Sequence, residues 1–300
     1  MLFALAAAFL FACSGVCAQR SSSLVGPVKA NFLRLVFASL VLMLLALGTG
    51  GVDLNSSAAF RLYLSGLVGF GLGDMALFFA FPRLGARLTL LINLCTAPLF
   101  GSLGDYLLLG TRLQPVHGLA CVMILLGVTQ ALMARSTLPA PRLRRLPGIV
   151  AAVVAGFGQG FGATLSRHAH AAETAAGMNL PSHVETFLRV VPGTMAVGAF
   201  WMGLRWLRSP ALPSPQDRAL SPRAVTWIIA NATVGAILGV TCFQHALREA
   251  TSAVVLSITA TTPILVMPMT FFSEQDKPSA RSLFGAAIAV AGVVLLKLTT

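Results

Sequence analysis

The sequence predicts an all-α integral membrane protein with ten transmembrane helices arranged as two inverted five-helix repeats. Three observations lead to this prediction: the composition, a regular succession of apolar runs, and an internal repeat. Of the 300 residues, 56% are hydrophobic and 10% are charged, and the mean hydropathy is +0.84. Soluble globular domains contain about 25% charged residues, and disordered chains are poor in apolar residues, so both classes are excluded.

Apolar runs follow one another along the whole chain and are separated by short stretches of Gly, Pro, Ser and Arg. One transmembrane helix uses about 20 apolar residues, so ten helices take about 200 residues and leave no length for a large soluble domain. The predicted helices cover residues 2–19, 30–48, 60–80, 86–108, 115–134, 147–166, 184–204, 224–244, 250–272 and 281–298.

Two segments of the chain occur twice. Phe32-Leu33-Arg34 in the second predicted helix recurs as Phe187-Leu188-Arg189 in the seventh, and segment 76–98 matches segment 241–263 in length and at several positions. We therefore expect a duplicated unit of five helices. Because five is an odd number, the two copies have opposite orientations in the membrane. The expected divisions are a first repeat over 1–134, a basic connecting loop over 135–146 and a second repeat over 147–300.

The formal net charge is +12, and the positive residues lie mainly between the apolar runs. Lys and Arg in such loops indicate membrane orientation, so we expect no nucleic-acid partner. The loops after even-numbered helices hold only Arg61, Arg112, Arg167 and Arg248. The loops after odd-numbered helices hold Arg20, Lys29, Arg83, Arg87, Arg135, Arg142, Arg144, Arg145, Arg205, Arg208, Arg218, Arg223, Lys277 and Arg281. The odd-numbered loops are therefore expected to be cytoplasmic, with the chain in the plasma (inner) membrane.

Three stretches of the sequence resemble a known family. Segment 31–38 looks like an Arg-bearing second helix, and segment 80–98 looks like a pattern of alanine, short turn, apolar helix and proline. Segment 108–113, followed by Gly118 and Gly127, looks like the end of a repeat. These patterns are similar to those of the EamA-like family of the drug/metabolite transporter superfamily. The resemblance covers nearly the whole chain and implies a ten-helix transporter rather than an enzyme.

Asp74 is the first candidate for a functional residue, because it lies near the middle of the third predicted helix. A carboxylate at the bilayer centre costs about 2.5–3.5 kcal/mol or more, so it needs a partner or a wet cavity. We interpret it as a site for a substrate amine or a proton. Arg34 and Arg189 occupy matching repeat positions, so we expect them near opposite membrane faces, as gate residues or at the interface.

Other polar residues lie inside apolar helices, where lipid offers no hydrogen bonds. Asn93, Gln159, Gln244 and His245 are candidates for binding a substrate or a coupling ion. The His and Glu residues around the sixth loop, Glu173 and Glu185 among them, are expected to be solvated.

Prolines and glycines inside the predicted helices indicate kinks and close helix contacts. Pro98 and Pro263 are predicted to kink matching helices and to line a cavity. Glycines 156, 158, 160 and 162 are predicted to allow close helix packing, because no nucleotide-loop context surrounds them. The five cysteines all lie in apolar runs, so neither a metal site nor a cofactor is predicted.

These observations favour a secondary transporter that moves a small metabolite, such as an amino acid or an amine, by alternating access. Its expected partners are the solute, a proton or other ion, and the lipid bilayer, and a homodimer is left open. Two alternatives remain. One is an intramembrane aspartyl protease-like enzyme that uses Asp74 and Asp105, since paired carboxylates can activate water. The other is a membrane scaffold that transports nothing.

Overall fold

The computed structural model of the chain describes residues 2–49, 56–110, 142–207, 219–250, 252–262 and 279–298, together with isolated positions between these ranges. Regular structure in these ranges is helical, and they contain no strand. The helices are α1 (Leu2–Val25), α2 (Pro27–Leu47), α3 (Ser57–Gly66), α4 (Met75–Leu109), α5 (Arg142–Ala175), α6 (Ser182–Leu207), α7 (Pro222–Asn231), α8 (Val240–Glu249), α9 (Ser252–Thr259) and α10 (Ala280–Leu298). A first π-helical stretch, Leu67–Asp74, joins α3 to α4, and a second, Ala232–Gly239, joins α7 to α8.

Six continuous helical segments among the described residues are long and apolar enough to cross a membrane. One of them, Ser57–Leu108, has 52 residues and contains the third and fourth predicted helices. Large apolar side chains also face outward, and Met202 and Trp206 are among the most exposed. Such a surface is typical of contact with lipid. The count of ten stays a prediction, because residues 115–134 and much of 250–272 lie mostly outside the described ranges.

The helix ends differ from the predicted ones. The first helix continues past residue 19 to Val25, and the sixth predicted helix extends in both directions, over Arg142–Ala175. The predicted connecting loop is therefore wrong for residues 142–146, which are helical. Hydropathy identifies only the apolar part of a helix, and polar turns can continue the same hydrogen-bond ladder beyond it.

A single glycine separates the third and fourth predicted helices. Gly85 has φ 76° and ψ 169°, a conformation outside the helical region that is easily reached only without a Cβ atom. In the second half, Ala250 (φ −145°, ψ 162°) interrupts the chain between α8 and α9.

The local structure of the two halves follows the same pattern. Adding 165 to the bounds of α3 and of the first π stretch gives those of α7 and of the second π stretch. The N-caps also correspond, because the Ser56 side chain accepts from the Ala59 amide at 3.1 Å and the Ser221 side chain accepts from the Ala224 amide at 3.2 Å. This similarity supports a duplication, while the division at residues 134 and 147 stays a prediction.

Glycines of α5 bring three elements into close contact. A Cβ atom on Gly160 would lie 2.4 Å from the Ala97 carbonyl oxygen in α4, and one on Gly158 would lie 2.5 Å from the Gly73 Cα atom in the first π stretch. Gly156 also packs against α4, and Gly162 also packs against the first π stretch. The predicted close packing is thus confirmed for these glycines, and it sets the spacing around the cavity described next.

Candidate functional site

A cavity of ≈ 100 Å³ lies between elements of the two halves. Helices α1, α2 and α4 and the first π stretch line it from one half, and α5, α6, α8 and the second π stretch line it from the other. The volume is large enough for several water molecules or part of a small solute. Its apolar wall includes the rings of Phe11, Phe70, Phe78, Phe81 and Phe243. Its charged and amide-bearing residues are Arg34, Asp74, Asn93, Gln159 and Arg189.

Asp74 lines this cavity and forms an ion pair with Arg34. It is the last residue of the first π stretch, and its Oδ2 atom accepts a hydrogen bond from Nη2 of Arg34 in α2. The Arg34 side chain is 6% exposed and the Asp74 side chain 19%. The Arg34 guanidinium also lies 4.9 Å from the ring centroid of Phe78. The pair therefore gives each buried charge an opposite charge in direct contact.

Arg189 lines the same cavity, so the two repeat-related arginines are not directed to separate membrane faces. The prediction of opposite faces followed from helix position alone. In the structure α2 packs against α6, and both guanidiniums turn inward. Arg189 is 5% exposed, and its Nη1 atom donates to Oε1 of Gln244 at 2.6 Å. Its guanidinium carbon lies 5.4 Å from the ring centroid of Phe70.

Two side-chain amides meet at the cavity wall. Nδ2 of Asn93 in α4 donates to Oε1 of Gln159 in α5 at 3.0 Å. The buried Oδ1 atom of Asn93 has no hydrogen-bond partner among the described residues. This oxygen is enclosed in the wall as an acceptor that the described side chains leave unused.

None of the other sequence candidates among the described residues lines the cavity. His245 is 41% exposed at its side chain, contacts Glu249 at 3.2 Å and packs 4.0 Å from the ring of Phe3, at the end of α8. Pro98 is buried in α4 and does not line the cavity, although it leaves the carbonyl of Leu94, a lining residue, without its usual helical donor. Pro263 lies outside the described residues.

One polar contact near the cavity was not predicted. The Ser14 hydroxyl in α1, a lining residue, donates to Oδ1 of Asn231 at 2.7 Å, and Asn231 ends α7. The signal was present in the sequence, because Asn231 interrupts an apolar run in the same way as Asn93 does.

Asp105 belongs to a different part of the molecule. It accepts from Nη1 of Arg167 at 3.1 Å and from the Ser252 hydroxyl at 3.0 Å, and it does not line the cavity. Asp74 has Arg34 as its partner instead. This separation gives no support to a catalytic pair of the two aspartates.

The sequence of the chain matches a known protein family. The sequence model of the EamA-like transporter family matches residues 1–133 and 146–298. The chain belongs to the EamA-like transporter family. This family is part of the drug/metabolite transporter superfamily, and its members are membrane transporters rather than enzymes. The predicted family is thus confirmed, and together with the apolar helices it identifies this EamA-like protein as an integral multi-pass membrane protein.

A solved structure has a similar fold to this EamA-like chain. Its description reads only "Crystal structure of protein", and it matches with a TM-score of 0.67 over 99% of this chain and 96% of its own length. The two sequences are 19% identical, so the likeness concerns the fold alone. No curated protein sequence matches the chain.

Proposed function

We propose that this protein is a secondary carrier that moves a small metabolite across the plasma (inner) membrane by alternating access. The class of solute includes amino acids, amines and similar molecules. One observation supports this proposal above the others: a cavity with paired charges and amides is lined by elements from both halves of an EamA-like chain. Ligand sites commonly combine apolar walls with a few well-placed polar groups.

The two halves act as inverted repeats that move relative to each other around this cavity. In carriers of this kind, the solute site lies at the repeat interface, and rocking of one repeat exposes it to one side at a time. The positive charge of the odd-numbered loops supports a cytoplasmic location for them in this scheme. A gradient of the solute or of an ion supplies the driving force.

Asp74 is the coupling residue in this scheme. Protonation of its carboxylate removes the negative partner of Arg34, so the ion pair across the cavity wall opens. Asn93 and Gln159 orient the solute through their amides. Uptake and release of one proton at Asp74 thereby link the charge of the cavity to its occupancy.

The test measures solute-dependent proton movement in proteoliposomes that contain a pH-sensitive dye. Amino acids, amines and organic acids are added in turn to wild type and to Asp74→Asn. We expect at least one solute to move protons with wild type and none with the variant, because asparagine does not titrate. Asp105→Asn is the matched control, since it also removes a carboxylate from a helix but lies outside the cavity, and it should retain coupling.

Two results would contradict the proposal. Proton-coupled uptake by Asp74→Asn at the wild-type rate would exclude Asp74 as the coupling residue. Failure of every solute to move with wild type, with or without an ion gradient, would favour the scaffold instead.

A further inference from the structure

The cavity holds more positive than negative charge. Its charged lining residues are Arg34, Asp74 and Arg189, and the first two form an ion pair with each other. Arg189 is left as a buried cation. Within the described part of the chain no carboxylate lies within 4.0 Å of it, and its polar partner is the neutral amide oxygen of Gln244.

The nearest acid on the same helix forms no salt bridge with Arg189. Glu185 lies one turn earlier in α6, where an i, i+4 pair is geometrically favourable. Its Oε1 atom instead accepts from Nη2 of Arg248 and lies 2.9 Å from Nε2 of His170. Glu185 and Asp74 attract Arg189 only from a distance, so among the described residues no carboxylate contacts its guanidinium directly.

The described elements packed against the Arg189 guanidinium present glycine backbone to it and no acidic side chain. A Cβ atom on Gly69 would lie 3.3 Å from Nη2 of Arg189, and a Cβ atom on Gly162 would lie 3.5 Å from the same atom. The absence of side chains at these two positions allows the Gly69 and Gly162 backbones to lie beside Nη2, and neither glycine supplies a negative charge. The Nε atom is buried and has no hydrogen-bond partner among the described residues.

We infer that Arg189 binds the anionic group of the substrate and that the substrate is a small organic monoanion, a carboxylate with an apolar body. This inference rests on the proposed function, because it assumes that the cavity is the substrate site. One negative charge balances the one unpaired cation, and the phenyl rings of Phe11, Phe78 and Phe243 surround the apolar body. A simple amine would bring a like charge into the cavity and is disfavoured.

The experiment compares matched probes that differ only in charge. Acetate, butanoate and 3-phenylpropanoate are each compared with the corresponding amide and amine, and their affinity for the purified full-length protein is measured by calorimetry in detergent. We expect at least one carboxylate to bind at least about tenfold more tightly than its amide, since a hydrogen bond to a charged group is stronger than one between neutral groups. The amine should bind most weakly.

Variants assign this preference to Arg189. Arg189→Gln should lose the tenfold preference for the carboxylate, while Arg189→Lys should keep the preference at lower affinity because it lacks the planar fork of donors. Arg205→Gln is the control on the same helix, since Arg205 is exposed and packs on Trp201. Size-exclusion profiles confirm folding of each variant, and the wild-type probe series remains decisive if Arg189→Gln does not fold.

The outcomes separate this inference from the proposed function. If solutes move in proteoliposomes but amides or amines bind as tightly as carboxylates, the inference is wrong and the carrier remains. Unchanged selectivity in Arg189→Gln would also overturn it. If carboxylates bind at Arg189 but no solute crosses the membrane, the proposed function is wrong and the anion site remains.

Discussion

Charged residues in the helices of this protein are stabilised by partners from distant parts of the chain. Arg34 and Asp74 pair across 40 residues, and Arg189 reaches Gln244 across 55. The sequence indicated that Asp74 needs a partner, since an isolated charge in lipid is costly. The sequence does not show which arginine is the partner of Asp74, because the pairing depends on how α2 packs beside the first π stretch.

A second group of charged residues, around Arg248, also differs from the sequence prediction. Glu173 and Glu185 were expected to be solvated, yet they are 1% and 0% exposed. Arg248 donates to both carboxylates, and its Nη1 atom donates to Oδ1 of Asn179 at 2.6 Å. These contacts close the end of the bundle formed by α5, α6 and α8.

Loss of this arginine should destabilise the protein. Arg248→Gln leaves two buried carboxylates without their shared cation, and breaking a buried pair in this way costs about 3–5 kcal/mol. The free energy of unfolding, measured by chemical denaturation in detergent micelles, should fall by an amount of this order. Arg83→Gln is the matched control at the corresponding repeat position, where the arginine packs on Phe79 instead. An equally large loss in both variants would contradict this account.

Helix positions could be predicted from the sequence, but helix ends and internal geometry could not. Each apolar run coincides with a described helix wherever the structure describes it, because burial in lipid requires a continuous apolar segment. The polar extensions of α5 over residues 142–146 and 167–175 were missed, because they lie outside the apolar segment. Neither π stretch was predicted, since a change from i→i+4 to i→i+5 hydrogen bonds leaves no strong sequence pattern.

The packing of α5 against the first π stretch predicts a strong effect of one methyl group. Gly158→Ala would place its Cβ atom 2.5 Å from the Gly73 Cα atom, and backbone cannot move aside as a flexible side chain can. Overpacking of this kind typically costs about 1–3 kcal/mol, so the thermal midpoint in detergent should fall. Because Asp74 follows Gly73, solute binding should weaken as well.

Gly203→Ala is the control for this substitution. Gly203 lies in α6, and nothing lies within 4 Å of a Cβ atom built on it, so alanine there should be neutral or slightly stabilising. If Gly158→Ala is as stable as Gly203→Ala, the described contact between α5 and the π stretch is wrong.

The whole molecule determines which candidate residues meet. Asp74, Asn93 and Gln159 come together at one cavity, and Arg34 and Arg189 join them although helix position alone had separated the two arginines. His245 was grouped with the cavity in the sequence prediction, but it lies at a helix end. Sequence spacing gives the depth of a residue in its helix, whereas the direction of its side chain depends on the assembled bundle.

Alternating access requires this cavity to open to each side of the membrane in turn, and the accessibility of a cysteine in its wall reports this opening. The five native cysteines are replaced by alanine, and a single Ala155→Cys is introduced in α5 at the cavity wall. A membrane-impermeant maleimide is applied to oriented vesicles from either side. Ala176→Cys and Ala219→Cys, at exposed positions of the sixth and seventh loops, report which side is labelled.

We predict that each loop cysteine reacts from one side only, whereas Ala155→Cys reacts from both. A solute identified in the transport assay should slow labelling of Ala155→Cys and leave the loop cysteines unaffected. Labelling of Ala155→Cys from one side alone, with and without solute and under either direction of the proton gradient, would contradict alternating access at this cavity.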